Sequence, residues 1–72
     1  MARDLKIAFG QRVRGLRESR DWSQEEMGEA SGMHWTYIGQ VERGERNLTL
    51  QSIQKISRAL KVKISVLFEG ID

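Results

Sequence analysis

The stretch WSQEEMGEASG, residues 22–32, carries the start and stop signals of one short helix. Ser23 stands three residues before Glu26, which is the spacing of a capping box. Gly32 provides a residue that takes the left-handed conformation at a helix C-terminus without steric cost. We therefore predict a helix over residues 24–31, ended sharply by a turn.

A second short helical pattern follows this turn. Ile38 and Val41 have helical spacing, and only about three residues separate Gly32 from the start of that pattern. A further break is predicted at Gly44. Two short helices joined by a tight turn that contains glycine form a helix-turn-helix unit. We place this unit at residues 23–43.

Longer amphipathic patterns flank the unit. An apolar stripe predicts a helix over about residues 3–19. Thr49 can cap a later helix. The stripes consist of Leu5, Phe9, Val13 and Leu16 in the first helix and of Leu50, Ile53, Ile56 and Leu60 in the later one.

The tail VKISVLF, residues 62–68, allows two interpretations. Its apolar residues alternate as in a strand. Helix and strand both stay open for this segment on pattern alone.

Composition limits the classes of function. The chain has 72 residues, no cysteine, no proline and a single histidine, His34. These counts predict one domain over residues 1–72, without a disulfide, a Cys-based or His-rich metal site, or a cofactor. The charged start lacks the apolar run of a signal peptide, and no segment has the apolar length of a membrane span. We expect a cytoplasmic protein.

Charge is distributed unevenly although the net charge is only +2. Basic residues crowd the first twenty positions, two more lie at the end of the helix-turn-helix unit and just after it, and acidic residues gather in QEEMGE. Such a distribution can steer a polyanion, and ordinary solvated helix faces explain it equally well. The basic residues are Arg3, Lys6, Arg12, Arg14, Arg17, Arg20, Arg43 and Arg46.

The orientation of the second unit helix follows from its periodicity. With 100° of rotation per residue and Ile38 and Val41 placed inward, one polar strip faces outward. Tyr37 falls on the flank opposite Trp35, and His34 precedes the first turn as a weak cap. The outward strip consists of Trp35, Thr36, Gly39, Gln40 and Arg43.

The side chains of this strip suit contact with nucleic acid. Glutamine can bond adenine bidentately, threonine can touch a thymine methyl group, and arginine can hold guanine or phosphate. Gly39 costs a helix about 1 kcal/mol relative to alanine, and it permits a close approach of the backbone. The alternative is that Gly39 fits against a neighbouring helix while Trp35 and Tyr37 serve as packing residues.

Residues 22–68 resemble the Cro/C1-type (XRE) helix-turn-helix domain without gaps. The resemblance rests on SQEE, ASG, the inward Ile38 and Val41, ERG, and ALKV followed by LF, all in the family's order. The segment TYIGQVERGERNLTLQSI further resembles the controller proteins of restriction-modification systems.

The resemblance implies an all-α, compact five-helix fold of the lambda repressor-like type, with the third helix in the major groove of DNA. It implies a buried ion pair between Arg17 and Glu42, and a phosphate contact for Gln24 at a helix N-terminus. Base-facing positions are Trp35, Thr36, Gly39 and Gln40. Residues at the DNA backbone or groove edge are Gln24, His34, Tyr37, Arg43, Arg46, Asn47 and Thr49.

Four positions depart from the family pattern. Leu48 stands where proline is common. Gly28 replaces the usual alanine where the second helix packs on the third. Lys63 replaces a capping serine or threonine. Trp35 has one N–H donor and no acceptor, so we expect it to touch sugar, phosphate or a thymine methyl group.

The sequence predicts a double-stranded DNA-binding transcription regulator that acts as a homodimer on a pseudo-palindromic operator. One such small module reads little sequence alone, which favours pairing. Residues 61–72 form the candidate dimerisation segment, with closure of the core as an equal alternative. Candidate interface residues are Ile64, Val66, Leu67, Phe68 and Ile71.

Two other functions stay open: an antitoxin-like protein-interaction module and a stand-alone phage-type repressor. RNA polymerase is a further candidate partner. Because the chain ends at Asp72, we expect no effector domain and no small-molecule ligand. An enzyme is the least favoured class, since no activated nucleophile, metal cluster or phosphate-binding glycine loop is present in the sequence.

Overall fold

The structure is a computed structural model that describes residues 4–71. Its first helix, α1, spans Leu5–Glu18, and the side chain of the N-cap Asp4 accepts from Lys6 N at 2.8 Å. Phe9 and Val13 are buried as predicted. Leu5 was wrongly assigned to the core stripe, because its side chain is 53% exposed. Helical side chains lean toward the N-terminus, so a first-turn residue points beyond the elements that cover its helix.

The helix-turn-helix unit has the boundaries that its capping signals predict. α2 spans Gln24–Ser31, and both hydrogen bonds of the capping box between Ser23 and Glu26 are present. Gly32 ends α2 with φ of 73°. α3 begins at Trp35 and ends at Glu42, so residues 32–34 form the whole turn.

The fourth helix, α4, spans Leu50–Leu60. The hydroxyl of Thr49 caps it by accepting from Ser52 N at 3.1 Å, which confirms the predicted cap. Leu50, predicted to be a core residue, is 85% exposed. The reason is the one that applies to Leu5, because Leu50 is the first residue of its helix.

The tail forms a short helix, α5, over Ile64–Leu67, which decides between helix and strand. Lys63 stands at its N-cap without a side-chain hydrogen bond to the helix. Leu67 is fully buried. Phe68 packs on Phe9 of α1 with ring centroids 5.1 Å apart.

One cluster of buried side chains joins all five helices. Because each helix contributes at least one member, the described residues confirm the all-α, five-helix architecture. Within residues 4–71, no helix combines the length and the apolar character of a membrane span. The cluster consists of Phe9, Val13, Met27, Ile38, Val41, Ile56, Leu60 and Leu67.

Most of the basic residues near the start of the chain have structural partners. Arg12 donates to the carbonyl of Glu69, and Arg20 donates to the carbonyls of Leu16 and Leu60. These bonds tie α1 to the ends of α4 and α5. Because carbonyl groups are neutral, these bonds position Arg12 and Arg20 but leave both side chains charged, so steering of a polyanion by this cluster stays a prediction. Arg3 lies outside the described residues.

Helix α1 crosses the end of α3 at very short range, and Gly10 makes this possible. A Cβ atom on Gly10 would lie 2.3 Å from the carbonyl oxygen of Val41 and 2.7 Å from that of Glu42. Both atoms belong to the backbone of the helix end, which cannot yield as a side chain would. The spacing between α1 and α3 therefore requires glycine at position 10.

We predict that Gly10→Ala destabilises the protein by about 1–3 kcal/mol, because it overpacks this crossing. Gly15→Ala is the matched control in the same helix. A Cβ atom there meets nothing within 4 Å, so alanine should stabilise the protein by about 0.5–1 kcal/mol through helix propensity. Urea denaturation measures both free energies of unfolding. Equal effects of the two substitutions would contradict the close crossing.

Candidate nucleic-acid interface

The third helix presents one polar face to solvent. Ile38 and Val41 are buried on its inner side, as the periodicity predicts. Trp35 is 49% exposed. Thr36 is exposed, and Gln40 is half-buried. The outward strip predicted from the sequence is therefore largely accessible.

His34 organises the start of this strip. Its Nδ1 atom accepts from Thr36 N at 3.2 Å and lies 2.7 Å from the hydroxyl of Thr36, which confirms the predicted cap. The ring also stacks on Trp35 with centroids 5.8 Å apart. The cap and the exposed indole thus form one unit at the N-terminus of α3.

Gly39 is covered in the free protein. A Cβ atom at this position would lie 3.1 Å from Arg43 Nη1 and 3.3 Å from Gln24 Oε1. Gly39 is buried although it points away from the core. Its cover consists of the flexible ends of two polar side chains, so another molecule can reach Gly39 only after these ends move.

A buried ion pair anchors α3 to α1. Arg17 Nε lies 2.6 Å from Glu42 Oε2, and Arg17 Nη2 lies 3.0 Å from Glu42 Oε1. The hydrogen bond that Arg17 donates to Glu42 raises the pKa of Arg17 above its ordinary value, more than burial lowers it. Arg17 Nη1 also donates to the carbonyl of Trp22 at 2.6 Å. Gln24 Nε2 donates to Glu42 Oε1 at 3.2 Å, so the pair reaches the N-terminus of α2.

The far edge of the strip is held by a chain of three side chains. Arg46 Nε donates to Gln40 Oε1 at 2.8 Å. The same guanidinium lies over the ring of Tyr37, 5.3 Å from its centroid, which is a cation–π distance. These contacts fix the direction of the Gln40 amide.

The loop after α3 contains the remaining predicted contact residues. Asn47 is exposed. Thr49 is exposed too, but its hydroxyl caps α4 and lies 3.1 Å from Ser52 Oγ. The structure therefore gives Thr49 a structural role before any contact with another molecule.

Glu45 belongs to this face, although sequence reasoning gave it no role. Its carboxylate accepts from Arg43 Nε at 2.9 Å and from Arg43 Nη2 at 3.3 Å. The hydrogen bond from Arg43 lowers the pKa of Glu45, and the bond to Glu45 raises the pKa of Arg43. The sequence pattern that could have predicted this contact is an acid two residues after an arginine, with Gly44 between them. A left-handed glycine there reverses the chain.

An apolar surface lies between α4 and α5. Ile64 is 44% exposed there, and Leu50 is 85% exposed. Leu67 was wrongly assigned to an interface, because it belongs to the core. Val66 and Ile71 are half-buried. A groove of about 390 Å³ between the two helices is lined by Leu50, Gln51, Ile53, Gln54, Ile64 and Phe68.

The described helices α2 and α3 meet at a short turn and leave one polar face exposed, and a helix-turn-helix family model (HTH_3) matches residues 13–67. The chain belongs to the helix-turn-helix family. The control protein C.BamHI of Bacillus amyloliquefaciens is 44% identical over 64 residues, covering 88% of this chain and 79% of that protein. The control protein C.MunI of Mycoplasma sp. is 39% identical over 70 residues, covering 96% of this chain and 95% of that protein.

A solved structure agrees with both relatives. The crystal structure of the restriction-modification controller protein C.AhdI from Aeromonas hydrophila matches this helix-turn-helix protein with a TM-score of 0.86 and 45% identity. The match covers 90% of this chain and 97% of that one. The similarity to controller proteins that the sequence predicts is therefore confirmed.

The buried ion pair generates a stability prediction for this helix-turn-helix protein. We expect Arg17→Met to cost about 3–5 kcal/mol, because it leaves the Glu42 carboxylate buried without a counter-charge. The double substitution of Arg17→Met with Glu42→Leu should recover most of that loss, since two apolar side chains replace both charges. Thermal and urea unfolding measure the effect. A loss below about 1 kcal/mol for Arg17→Met would mean that the pair contributes no more than a surface pair.

Proposed function

We propose that this protein is a sequence-specific transcription regulator of the restriction-modification controller type, which binds double-stranded DNA as a homodimer on a pseudo-palindromic operator. The observation that carries the proposal is the exposed strip on α3, in which Gln40 is held by Arg46 at 2.8 Å. A glutamine held in this way presents its amide edge outward from a helix that is narrow enough for the major groove.

The reading contacts follow from the chemistry of the strip. Gln40 offers the donor and acceptor that match adenine, and Thr36 offers a methyl and a hydroxyl group. Trp35, at the start of α3, contacts sugar or a thymine methyl group, or donates its ring N–H to phosphate. Gly39 provides the closest backbone approach, with Arg43 lying over it and Gln24 moved aside.

Phosphate contacts position the helix without reading sequence. Gln24 stands at the N-terminus of α2, where free backbone N–H groups and the helix dipole favour an anion. On the other side of the groove, Arg46 and Asn47 reach the opposite strand, with Tyr37 supporting Arg46. Contact with DNA exchanges the hydrogen bonds within the free protein for hydrogen bonds to phosphates and bases.

The apolar groove between α4 and α5 supplies the dimer contact. Ile64 and Leu50 expose apolar side chains around it, and a second copy related by a two-fold axis covers the same surface on both partners. Two recognition helices then reach half-sites about one helical turn apart.

We include RNA polymerase as a second partner, and we place the protein's work in the cytoplasm, where the DNA of its bacterial relatives lies. The surface that would meet polymerase is the acidic face of α2. Glu25 and Glu29 are exposed there, whereas Glu26 is engaged in the capping box. Transcription from the selected operator with purified polymerase separates the two modes of regulation. A rise in transcript means activation and a fall means repression.

The decisive experiment is selection from random duplex DNA, followed by sizing of the bound complex. A two-fold symmetric consensus bound by two copies supports the proposal. The affinity should fall with salt at a log–log slope near −0.9 per neutralised phosphate. A flat salt response without a selected sequence would favour the antitoxin-like interaction module. The similarity to controller proteins speaks against that module.

Gln40→Ala should weaken binding to the selected site by about 1–3 kcal/mol and leave binding to random DNA almost unchanged, because it removes a base contact.

Arg46→Ala should weaken binding to both kinds of DNA and reduce the salt slope by about one. Gln11→Ala, an exposed glutamine on α1, is the control. Fluorescence anisotropy measures all three variants. Equal losses on both DNAs for Gln40→Ala would remove Gln40 from the readers.

Ile64→Asp should shift the protein from dimer to monomer, because it places a charge in the apolar groove. Binding to a full operator should fall at least tenfold, while binding to an isolated half-site stays the same. Ser65→Asp adds the same charge at the neighbouring exposed position and serves as the control. Analytical ultracentrifugation reports the mass. A dimeric Ile64→Asp variant would place the interface elsewhere.

A further inference from the structure

Just past the end of α3, beside the outward strip, a carboxylate is in direct contact with Arg43. Glu45 holds Arg43 through two hydrogen bonds, 2.9 Å to Nε and 3.3 Å to Nη2. Both side chains are more than half exposed. A carboxylate beside a surface that meets a polyanion repels the polyanion. It can still favour binding if it directs the arginine.

The backbone of Glu45 is fixed by the way in which α3 ends. Gly44 takes a left-handed φ of 75°. Gly44 N donates to Val41 O at 3.0 Å, and Glu45 N donates to Gln40 O at 2.9 Å, which together form a Schellman motif. The carboxylate therefore starts from a fixed point one turn beyond Gln40.

Glu45 binds one edge of the Arg43 guanidinium group, which leaves the other edge for contact with another molecule. The carboxylate takes Nε and one N–H of Nη2, which form the side edge of the guanidinium fork. The end edge, formed by Nη1 and the second N–H of Nη2, points elsewhere. Nη1 lies 3.1 Å from the position of a Cβ atom on Gly39, over the outward strip of α3. An edge with two parallel donors matches the O6 and N7 acceptors of guanine.

We propose that Glu45 is a specificity-determining residue that turns Arg43 from a phosphate contact into a guanine reader. Glu45 holds the side edge, so the end edge stays over the base-facing strip and out of reach of the phosphates beyond the end of α3. Glu45 itself acts through Arg43 as a positioning residue. The inference rests on the DNA-binding function proposed above and assigns one guanine in each half-site to Arg43.

Removal of Glu45 changes the affinity for random DNA and the affinity for the preferred site in opposite directions. A held Arg43 contributes little to sequence-blind binding. Once Glu45 is removed, Arg43 turns to the nearest phosphate, which adds affinity for any duplex and one more released counterion. At the preferred site, a freely rotating guanidinium loses the fixed bidentate geometry that discriminates guanine from other bases.

The test compares Glu45→Ala, Glu45→Gln and wild type in selection from random duplex DNA and in titrations at several salt concentrations. We expect one guanine position in each half-site to lose its base preference in Glu45→Ala and the preferred site to weaken about fivefold or more. Random DNA should bind equally well or tighter, with a salt slope steeper by about one. Glu45→Gln keeps one acceptor and should lie between the two.

Two further variants separate positioning from charge. Arg43→Lys keeps the positive charge but lacks the fork, so it should lose the same guanine preference and respond little to a further Glu45→Ala change. Glu18→Ala releases Arg14 from an equally exposed pair on α1, 3.2 Å long, and should leave the selected sequence unchanged.

The remaining outcomes overturn either this inference alone or this inference together with the proposed function. If Glu45→Ala tightens the preferred site and random DNA equally, Glu45 only masks charge, and the inference is wrong. An unchanged consensus in Glu45→Ala would also overturn it, while the wild-type consensus upholds the DNA-binding function. A wild type that selects no sequence at any salt concentration overturns the proposed function and this inference together. Circular dichroism confirms that each variant is folded.

Discussion

The ion pair between Arg17 and Glu42 fixes how α3 is oriented on α1, and with it the direction in which the outward strip faces. Two charges removed from water are stable only when each has its partner in good geometry, so α3 has one favourable rotation relative to α1. Gln24 joins the same carboxylate at 3.2 Å, which brings the N-terminus of α2 into register with α3. The close backbone crossing at Gly10 fixes the distance between α1 and α3, and the ion pair fixes the rotation.

Local chemistry explains what could be predicted from the sequence. A capping box, a left-handed glycine and a threonine cap act within four residues, so the ends of α2 and the start of α4 were predictable. The inward positions Ile38 and Val41 followed from periodicity alone. The positions of Leu5 and Leu50 did not, because burial of a first-turn residue depends on whether another element extends past the helix end.

Contacts between distant segments were beyond pattern reading. Charge counting grouped Arg12 and Arg20 with the other basic residues, but it could not show that they donate to the backbone carbonyls of Glu69 and Leu60. The cover over Gly39 and the link between Gln40 and Arg46 likewise depend on side-chain directions that only the folded chain defines. The polar groups of the surface that we propose for DNA contact are therefore hydrogen-bonded to one another in this structure.

The crossing at Gly10 has a consequence for how such a protein can change over generations. Helix α3 is held from behind, by backbone atoms and by one buried carboxylate at its last turn. Thr36 and Gln40 bear none of that load, because they stand on the opposite side of the helix. Under the proposed function, substitutions at these two positions would change the operator without a new fold, so that recognition and architecture could evolve separately.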